Sequence, residues 1–145
     1  MDVGVQIKQQ YKVIEHIGRG GMADVWSARD KRLKRLVAIK TISSSLSQDV
    51  DPAARFEVEA QTIASMEHPH ILPIYDFGEH ESNLFIVMRY MPGGSLEDLL
   101  RDGPMAVEDA LRMAQGIASA LDYAHEKNVI HLDLKPPNIL LDSSQ

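Results

Sequence analysis

The chain has 145 residues, of which 44% are hydrophobic, and this size suits a globular fold with its own core. Its net charge of −6 argues against a nucleic-acid partner, and no apolar run reaches the ~18 residues needed to cross a bilayer. The absence of cysteine excludes disulfides, thiolate metal sites and cysteine nucleophiles. We therefore expect a cytoplasmic protein with no membrane segment in this chain.

The N-terminal half has the pattern of an antiparallel sheet. Residues 1–10 are expected to form an N-terminal extension. Short stretches rich in β-branched and aromatic residues then predict a meander of three strands, at Tyr11 to Ile17, Met22 to Arg29 and Leu36 to Ile42. A basic run separates the second strand from the third, with Lys31, Arg32, Lys34 and Arg35. We interpret it as a solvated hairpin loop, with a docking patch as the less favoured alternative.

A single helix and two more strands follow. Asp51 and Pro52 supply an N-cap and a first-turn proline, and apolar residues then recur at helical spacing until His68 and Pro69. Leu72 to Phe77 and Leu84 to Tyr90 read as strands joined by a polar turn. The first part of the chain is thus expected to contain a five-stranded antiparallel sheet with one helix.

Beyond Gly93 and Gly94 the pattern becomes helical. A short helix is expected from Leu96 to Arg101 and a long amphipathic one from Val107 to Lys127, followed by a loop and a short strand at Asn138 to Leu141. The fold class is therefore α+β, with one lobe over residues 11–91 and the beginning of a helical lobe over 92–145.

A glycine-rich segment lies between the first two predicted strands. Gly18, Gly20 and Ala23 fit the phosphate-loop pattern G-x-G-x-x-G/A, which two unrelated nucleotide folds share. The dinucleotide-binding fold needs a helix directly after the glycines and an acidic residue about 20 positions on, whereas here a strand follows and Lys40 takes that place. An ordinary hairpin turn is the favoured reading of this segment taken alone.

Two charged residues occupy positions of apolar character. Strand alternation places Lys40 on one face with Leu36, Ala38 and Ile42, and Glu59 falls on the apolar stripe of the predicted helix. An unpaired charge on either surface is costly to desolvate, so a Lys40–Glu59 ion pair would satisfy both. Independent exposure of the two side chains to water is the alternative.

The segment His131-Leu-Asp-Leu-Lys-Pro-Pro-Asn138 resembles the catalytic loop of protein kinases in spacing and residue type. The glycine segment, Val37-Ala-Ile-Lys40, Glu59 and this loop occur in the order found in that family. Residues 11–142 therefore resemble a protein kinase of the bacterial Hanks-type serine/threonine group.

The resemblance implies ATP and Mg²⁺ as cofactors and a protein serine or threonine hydroxyl as acceptor. It assigns catalytic roles to Asp133, which would orient and accept the hydroxyl proton, and to Lys135, which would neutralise the transferred phosphate. Lys40 would hold the nucleotide phosphates while paired with Glu59. Asn138 would bind a magnesium ion. The implied nucleotide contacts are Ile17, Gly18, Gly20, Gly21, Met22, Ala23, Val25, Ala38, Met88, Arg89, Tyr90, Met91 and Leu140.

Three departures from the family pattern qualify this reading. Ala23 replaces a glycine, and Leu132 stands where most members have an arginine that receives an activating phosphate. The family also places a metal-binding Asp-Phe-Gly about a dozen residues after the loop asparagine, and only seven residues follow Asn138 here. We therefore expect an ATP-binding chain that is inactive alone, with a non-catalytic ATP-binding or interaction module as the alternative. An exposed apolar helix face also predicts a homodimer or segment exchange.

Overall fold

The computed structural model describes residues 1–19, 23–43 and 52–142. The chain divides into two compact units. Unit 1 comprises Met1–Met66 and Pro73–Tyr90, and unit 2 comprises Glu67–Leu72 together with the chain from Met91 onward. The short segment Glu67–Leu72, which follows the first helix, thus belongs with the C-terminal half of the chain.

Unit 1 is built on a six-stranded antiparallel sheet with the order β1-β2-β3-β4-β6-β5. The strands are β1 (Gln6–Ile7), β2 (Tyr11–Arg19), β3 (Ala23–Asp30), β4 (Arg35–Ser43), β5 (Ile74–His80) and β6 (Asn83–Arg89). The α+β class and the antiparallel sheet are confirmed, but the sheet has one strand more than the five predicted.

The additional strand is β1, in the part of the chain expected to be an extension. Lys8 and Gln9 have φ values of 49° and 55°, and they turn the chain so that Ile7 lies opposite Tyr11. Ile7 is fully buried in the core of the sheet with Val13, Ile39 and other apolar side chains. A two-residue strand is too short to show alternation, which is why the sequence pattern did not reveal it.

The β5–β6 hairpin is tighter than predicted. His80 pairs with Asn83, so the connection consists of Glu81 and Ser82 alone. Both have positive φ, 48° and 61°, as a two-residue turn requires. The segment expected to form the turn therefore contributes its first three residues to β5.

Helix α1 (Pro52–Ala64) packs on the sheet of unit 1. The ring of Phe56 meets that of Phe77 edge-on, with 6.5 Å between centroids, and Ala60 is buried. The helix begins at the proline that the sequence indicated, whereas the predicted N-cap, Asp51, lies outside the described residues.

Unit 2 contains helices α2 (Leu96–Arg101) and α3 (Val107–Glu126). The Ser95 side chain accepts from Asp98 N, and Asp98 accepts from Ser95 N, which completes a capping box before α2. Within the described residues, no helix is both long enough and apolar enough to span a membrane.

The strand predicted at Asn138 to Leu141 is wrong. Pro136–Asn138 form a 3-10 turn, and Leu140 makes only an isolated bridge to Ser95. Proline fixes φ at a value that suits the first positions of such a turn, and the amides of Asn138 and Ile139 donate back to Lys135 O and Pro136 O, so neither amide is left for a strand partner.

Candidate active site

One face of the unit 1 sheet carries several of the residues predicted to contact a nucleotide. Val25 lies directly opposite Lys40, and Ala38 directly opposite Met88. Residues that oppose each other, or that lie two apart along a strand, share a face. The register therefore places Val25, Ala38, Lys40 and Met88 together, while Trp26 and Ile39 point into the core on the other face.

The predicted Lys40–Glu59 pair is not formed. Glu59 is 64% exposed and accepts from Arg55 Nε at 3.3 Å, one helical turn earlier on α1. Glu59 lies toward solvent, where an i,i+4 partner on its own helix is nearer than a residue of the sheet. Within the described part of the chain, Lys40 has no ion-pair partner, so its ammonium group remains available to an anion.

The glycine segment is described only at its ends. Gly18 pairs with Val25, Ala23 begins β3 opposite Ile42, and Ile17 sits at a bulge in β2. Gly20, Gly21 and Met22 lie outside the described residues. A Cβ added at Gly18 would meet Val25 Cβ at 3.8 Å, an ordinary contact, so local packing does not require glycine at this position.

Ion pairs flank the glycine segment, and they were not predicted from the sequence. Asp24 Oδ1 lies 2.9 Å from His16 Nε2 and accepts from Arg19 Nε at 3.3 Å. The hydrogen bond with His16, followed by that from Arg19, lowers the pKa of Asp24 despite its partial desolvation. Opposite charges on either side of the glycines are the sequence signal that could have revealed this contact. They tie the ends of β2 and β3 together where the glycine segment connects them.

In unit 2, three predicted catalytic-loop residues lie together. Lys135 Nζ is 3.3 Å from Asp133 Oδ1, and Asn138 Nδ2 donates to Asp133 O at 2.8 Å and to Asp133 Oδ2 at 3.2 Å. The Asp133 side chain is nevertheless 66% exposed. His131 Nδ1 accepts from Asp133 N at 3.2 Å, which fixes the backbone before the carboxylate.

These contacts determine the charge of the cluster. The hydrogen bond from Lys135, and more weakly that from Asn138, lowers the pKa of Asp133. The carboxylate is therefore ionised at neutral pH and can accept a hydrogen bond from a hydroxyl group. Because Asn138 directs its Nδ2 donors at Asp133, its amide oxygen is left as a hard ligand of the kind that Mg²⁺ prefers.

The segment after Asn138 is anchored by backbone hydrogen bonds. Gly93 N donates to Leu141 O, Leu141 N donates to Gly94 O, and Leu96 N donates to Ile139 O. The backbone of Ile139 and Leu141 is thus paired, so this segment is not an open strand edge. A Cβ on Gly93 would lie 2.5 Å from Leu141 O, so this close approach requires glycine. Asn138 lies in the 3-10 turn and Leu140 lies beyond it, so strand alternation does not place these two predicted site residues on one face.

The predicted nucleotide contacts from Met88 to Met91 lie where the chain passes from unit 1 to unit 2. Met88 and Arg89 end β6, and Arg89 N donates to Pro73 O within unit 1. Tyr90 is the last residue of unit 1, and Met91 resumes unit 2.

An Asp-Phe-Gly tripeptide does occur in the chain, at Asp76–Gly78, but in strand β5. Asp76 Oδ1 accepts from Lys8 Nζ at 2.7 Å, and Oδ2 accepts from the Tyr11 hydroxyl at 3.1 Å. Burial and the adjacent Asp76 carboxylate raise the pKa of Tyr11 above its usual range, so the phenol remains a donor. Both carboxylate oxygens thus serve to hold the sheet together, and this tripeptide is structural.

A groove of about 540 Å³ lies along α3 in unit 2, beside His68, Ser119 and Tyr123. His68 Nδ1 accepts from His70 N at 3.0 Å, so in the neutral ring the proton is on Nε2, which lies 3.0 Å from Ser119 Oγ. His68 therefore donates to Ser119 and cannot act as its base. Within the described residues, no group of three or more acidic or histidine side chains could hold a metal ion.

The chain matches the family model of the protein kinase domain over residues 11–145. It is 40% identical over 143 residues to the serine/threonine-protein kinase PrkC of Bacillus subtilis, covering 98% of this chain and 22% of PrkC. It is 41% identical over 131 residues to the serine/threonine-protein kinase PknJ of Mycobacterium tuberculosis, covering 90% of this chain and 22% of PknJ.

Solved structures agree with the sequence matches. The PknI kinase domain of M. tuberculosis superimposes with a TM-score of 0.87 at 30% identity, covering 100% of this chain and 59% of that one. A structure of Rad53 in complex with AMP-PNP superimposes with a TM-score of 0.84 at 27% identity, covering 94% of this chain and 36% of that one. The chain spans about a fifth of the length of PrkC and PknJ, the two curated relatives given above.

Proposed function

The chain belongs to the protein kinase family, in the bacterial Hanks-type serine/threonine group, and from this we propose that it binds ATP with Mg²⁺ for transfer of phosphate to serine or threonine hydroxyls of a protein. The cluster of Asp133, Lys135 and Asn138 carries the proposal. It combines an ionised acceptor, an adjacent cation and a hard oxygen ligand within one exposed segment.

Unit 1 would hold the nucleotide. The unpaired ammonium of Lys40 suits a phosphate group, and Val25, Ala38 and Met88 supply an apolar surface beside it for a base. The spare space at Gly18 is consistent with phosphates lying against its backbone. Bound ATP would supply the phosphoryl group. The AMP-PNP in the Rad53 structure is an ATP-like ligand of a structural neighbour, which supports this assignment.

Unit 2 would hold the acceptor and the metal. Asp133 would orient the substrate hydroxyl and accept its proton, and the Asn138 amide oxygen would contribute one magnesium ligand. Lys135 would offset negative charge on the phosphate during transfer. The observed Lys135–Asp133 contact keeps this cation at the cluster.

We expect the 145-residue chain by itself to bind ATP but to transfer little phosphate. The Asp-Phe-Gly of this sequence is committed to the sheet, so within the described residues it supplies no metal-binding aspartate to the cluster. The alternative is a non-catalytic ATP-binding module, and such a module would not need the side chains of Asp133 and Lys135. We place the activity in the cytoplasm, where ATP is available.

The test is calorimetric titration of the chain with ATP in the presence and absence of Mg²⁺. Lys40→Ala should weaken binding by about tenfold or more, because the phosphates lose a close cation in a partly desolvated site. Lys127→Ala is the matched control, since that lysine lies in unit 2 against the Tyr123 ring. Equal affinity of Lys40→Ala and the control would refute the assignment of Lys40.

A radiolabel transfer assay separates the two candidate functions. Binding without transfer by the isolated chain, and transfer once the segment is part of a complete kinase domain, is the expected result. Binding without transfer in both cases would favour the non-catalytic module.

Self-association remains a prediction from the exposed apolar side chains of α3. Val107 and Leu111 are 69% and 60% exposed, respectively. Sedimentation at increasing concentration should show a homodimer or larger species, and a monomer at all concentrations would contradict the prediction.

A further inference from the structure

An exposed basic patch lies on β2, β3 and the hairpin that leads to β4, and no role proposed above uses it. Lys12 of β2 stands directly opposite Arg29 of β3 in the sheet register. Arg32 and Lys34 extend the same charge into the hairpin tip, and all four side chains are exposed. Like charges directly opposite each other destabilise a sheet unless an anion lies between or above them.

These four cations differ from the others in the described residues. All but one of the remaining Lys and Arg side chains have a partner. Most form ion pairs: Lys8 with Asp76, Arg19 with Asp24, Arg35 with Asp30, Arg55 with Glu59, Arg101 with Glu97 and Asp98, Arg112 with Asp109, and Lys135 with Asp133. Lys31 donates to Gln6, Lys127 lies against the Tyr123 ring, and Arg89 also has an interaction partner. Within the described ranges, the side chains of Lys12, Arg29, Arg32, Lys34 and Lys40 lack such a partner. Lys40 is the one we assign to the nucleotide phosphates.

The carboxylate nearest to the patch in sequence cannot neutralise it. Asp30 is 1% exposed, and Oδ1 accepts from Gln10 Nε2 and from the backbone amides of Arg32 and Leu33. Its other oxygen lies 3.8 Å from Arg35 Nε, and that guanidinium stacks 3.7 Å from the Tyr75 ring centroid. The charge of the buried Asp30 is thus already compensated by Arg35, whose side chain is 39% exposed.

Apolar side chains are interspersed among the four cations. Leu36 stands directly opposite Arg29 and is 44% exposed, and Leu33 at the hairpin tip is 58% exposed. A surface that presents cations beside leucines is complementary to a peptide that presents carboxylates or phosphates beside apolar residues.

The net charge distinguishes among anionic partners. The whole chain carries −6, so an extended polyanion such as a nucleic acid or an anionic bilayer is repelled by the rest of the surface. A short peptide contacts only the patch, and salt screens the remainder beyond a Debye length of about 8–10 Å. The balance favours a short acidic segment.

We propose that the patch of Lys12, Arg29, Arg32 and Lys34, with Leu33 and Leu36, docks an acidic, leucine-containing peptide segment of a partner protein. This interaction goes beyond the proposed phosphoryl transfer. It requires neither ATP nor Asp133.

The test is fluorescence anisotropy of a labelled peptide of alternating glutamate and leucine, titrated with the intact chain without nucleotide. The double variant Lys12→Gln/Arg29→Gln should weaken binding by about tenfold, since two charge-assisted contacts are lost. The control Arg112→Gln/Lys127→Gln removes the same charge from α3 and should bind as the unsubstituted chain does. Added salt should weaken binding of the unsubstituted chain and have little effect on the patch variant.

Folding provides a second readout. Because the substitutions remove a like-charge pair, the melting temperature should stay level or rise. If the double variant fails to fold, Arg32→Gln/Lys34→Gln at the hairpin tip replaces it in the titration.

Several outcomes would overturn the proposal. Equal loss of binding in the α3 control would show that only net charge matters, and unchanged binding in the patch variants would remove the patch from the interaction. Binding to vesicles that contain phosphatidylserine, without binding to the peptide, would make the partner a membrane surface. Concentration-dependent dimerisation that only the patch variant loses would make it a second copy of this chain. Because Lys40→Ala should bind the peptide normally, failure of this proposal is distinguishable from failure of the nucleotide assignment.

Discussion

Aspartates serve two opposite purposes in the two units of this chain. In unit 1, Asp76 accepts hydrogen bonds on both carboxylate oxygens. Asp30 accepts three hydrogen bonds on Oδ1, and its Oδ2 lies 3.8 Å from Arg35 Nε. In unit 2, Asp133 is contacted by Lys135 and Asn138 but remains 66% exposed. The first two hold strands and a turn in place, whereas the third keeps acceptor capacity that the fold does not use.

The difference shows how a structural carboxylate can be told from a functional one of the same residue type. Asp76 begins an Asp-Phe-Gly tripeptide, which as a motif indicates a metal ligand. Its surroundings contradict this, because Lys8 and Tyr11 occupy both oxygens. Solvent exposure of the carboxylate, rather than the motif, separates the two classes here, because the Asp76 side chain is 25% exposed and the Asp133 side chain 66%.

The largest effect is expected from substitution of Asp133, the functional aspartate of the three. Asp133→Asn should reduce phosphoryl transfer by about 10²–10⁴-fold, because the acceptor hydroxyl loses its base. The assay requires a polypeptide in which this segment is part of a complete kinase domain. The melting temperature should not change, and a variant that is both inactive and unstable would contradict the distinction drawn here.

Substitution of a structural aspartate should instead lower stability. Asp30→Ala should lower the free energy of unfolding of unit 1 by about 2–4 kcal/mol, since Gln10, two backbone amides and Arg35 lose a buried partner. Asp122→Ala, on the exposed side of α3, is the matched control. Chemical denaturation monitored by Trp26 fluorescence reports on unit 1. A loss no larger than that of the control would show that the Asp30 network contributes little.

A smaller effect is expected at Asp76. Tyr11→Phe removes one hydrogen bond to Oδ2 while Lys8 still contacts Oδ1, so stability should fall by about 1 kcal/mol. ATP affinity should be unchanged, as measured by calorimetry. If affinity falls instead, the tripeptide at Asp76–Gly78 is not purely structural.

The smallest effect concerns pH. Hydrogen bonds from Leu33 N, Gln10 and Arg32 N, aided by the charge of Arg35, lower the pKa of Asp30 below 3.8 although burial opposes them. A lowered folded-state pKa contributes stability that is present above the unfolded value and lost as the pH falls through the folded one. Thermal melts from about pH 5 to pH 3 should therefore decline more steeply for the unsubstituted chain than for Asp30→Asn. Parallel curves would mean that other carboxylates account for the acid sensitivity.

Most of the fold could be predicted because its signals are local. Alternation and turn residues indicated strands β2 to β6 and both helices of unit 2 within a few residues of their observed bounds. The exceptions depend on tertiary contacts or on proline. β1 is defined only by its pairing with β2. The strand expected after Pro137 is not formed because the turn that begins at Pro136 takes up the amides of Asn138 and Ile139.

The site could be predicted in part for the same reason. Asp133, Lys135 and Asn138 lie within six positions, so their spacing nearly fixes their contacts. Lys40 and Glu59 lie on different elements, and their pairing depends on the position of α1, which the sequence pattern does not encode. The structural use of Asp76 depends on Lys8, 68 positions away, and no local pattern contains that information.

The contact between the turn after β1 and strand β5 also constrains the order of events during synthesis. Lys8 donates to Asp76 and Phe77 across 68 and 69 positions of sequence. At translation rates of about 5–20 residues per second, these partners leave the ribosome roughly 3–14 s after the turn does. Until then Ile7 has no complete core to enter, so the N-terminal strand is made first but cannot be secured until most of unit 1 exists. A ribosome pause within β4 would lengthen the interval in which this apolar segment is open to chaperones and proteases.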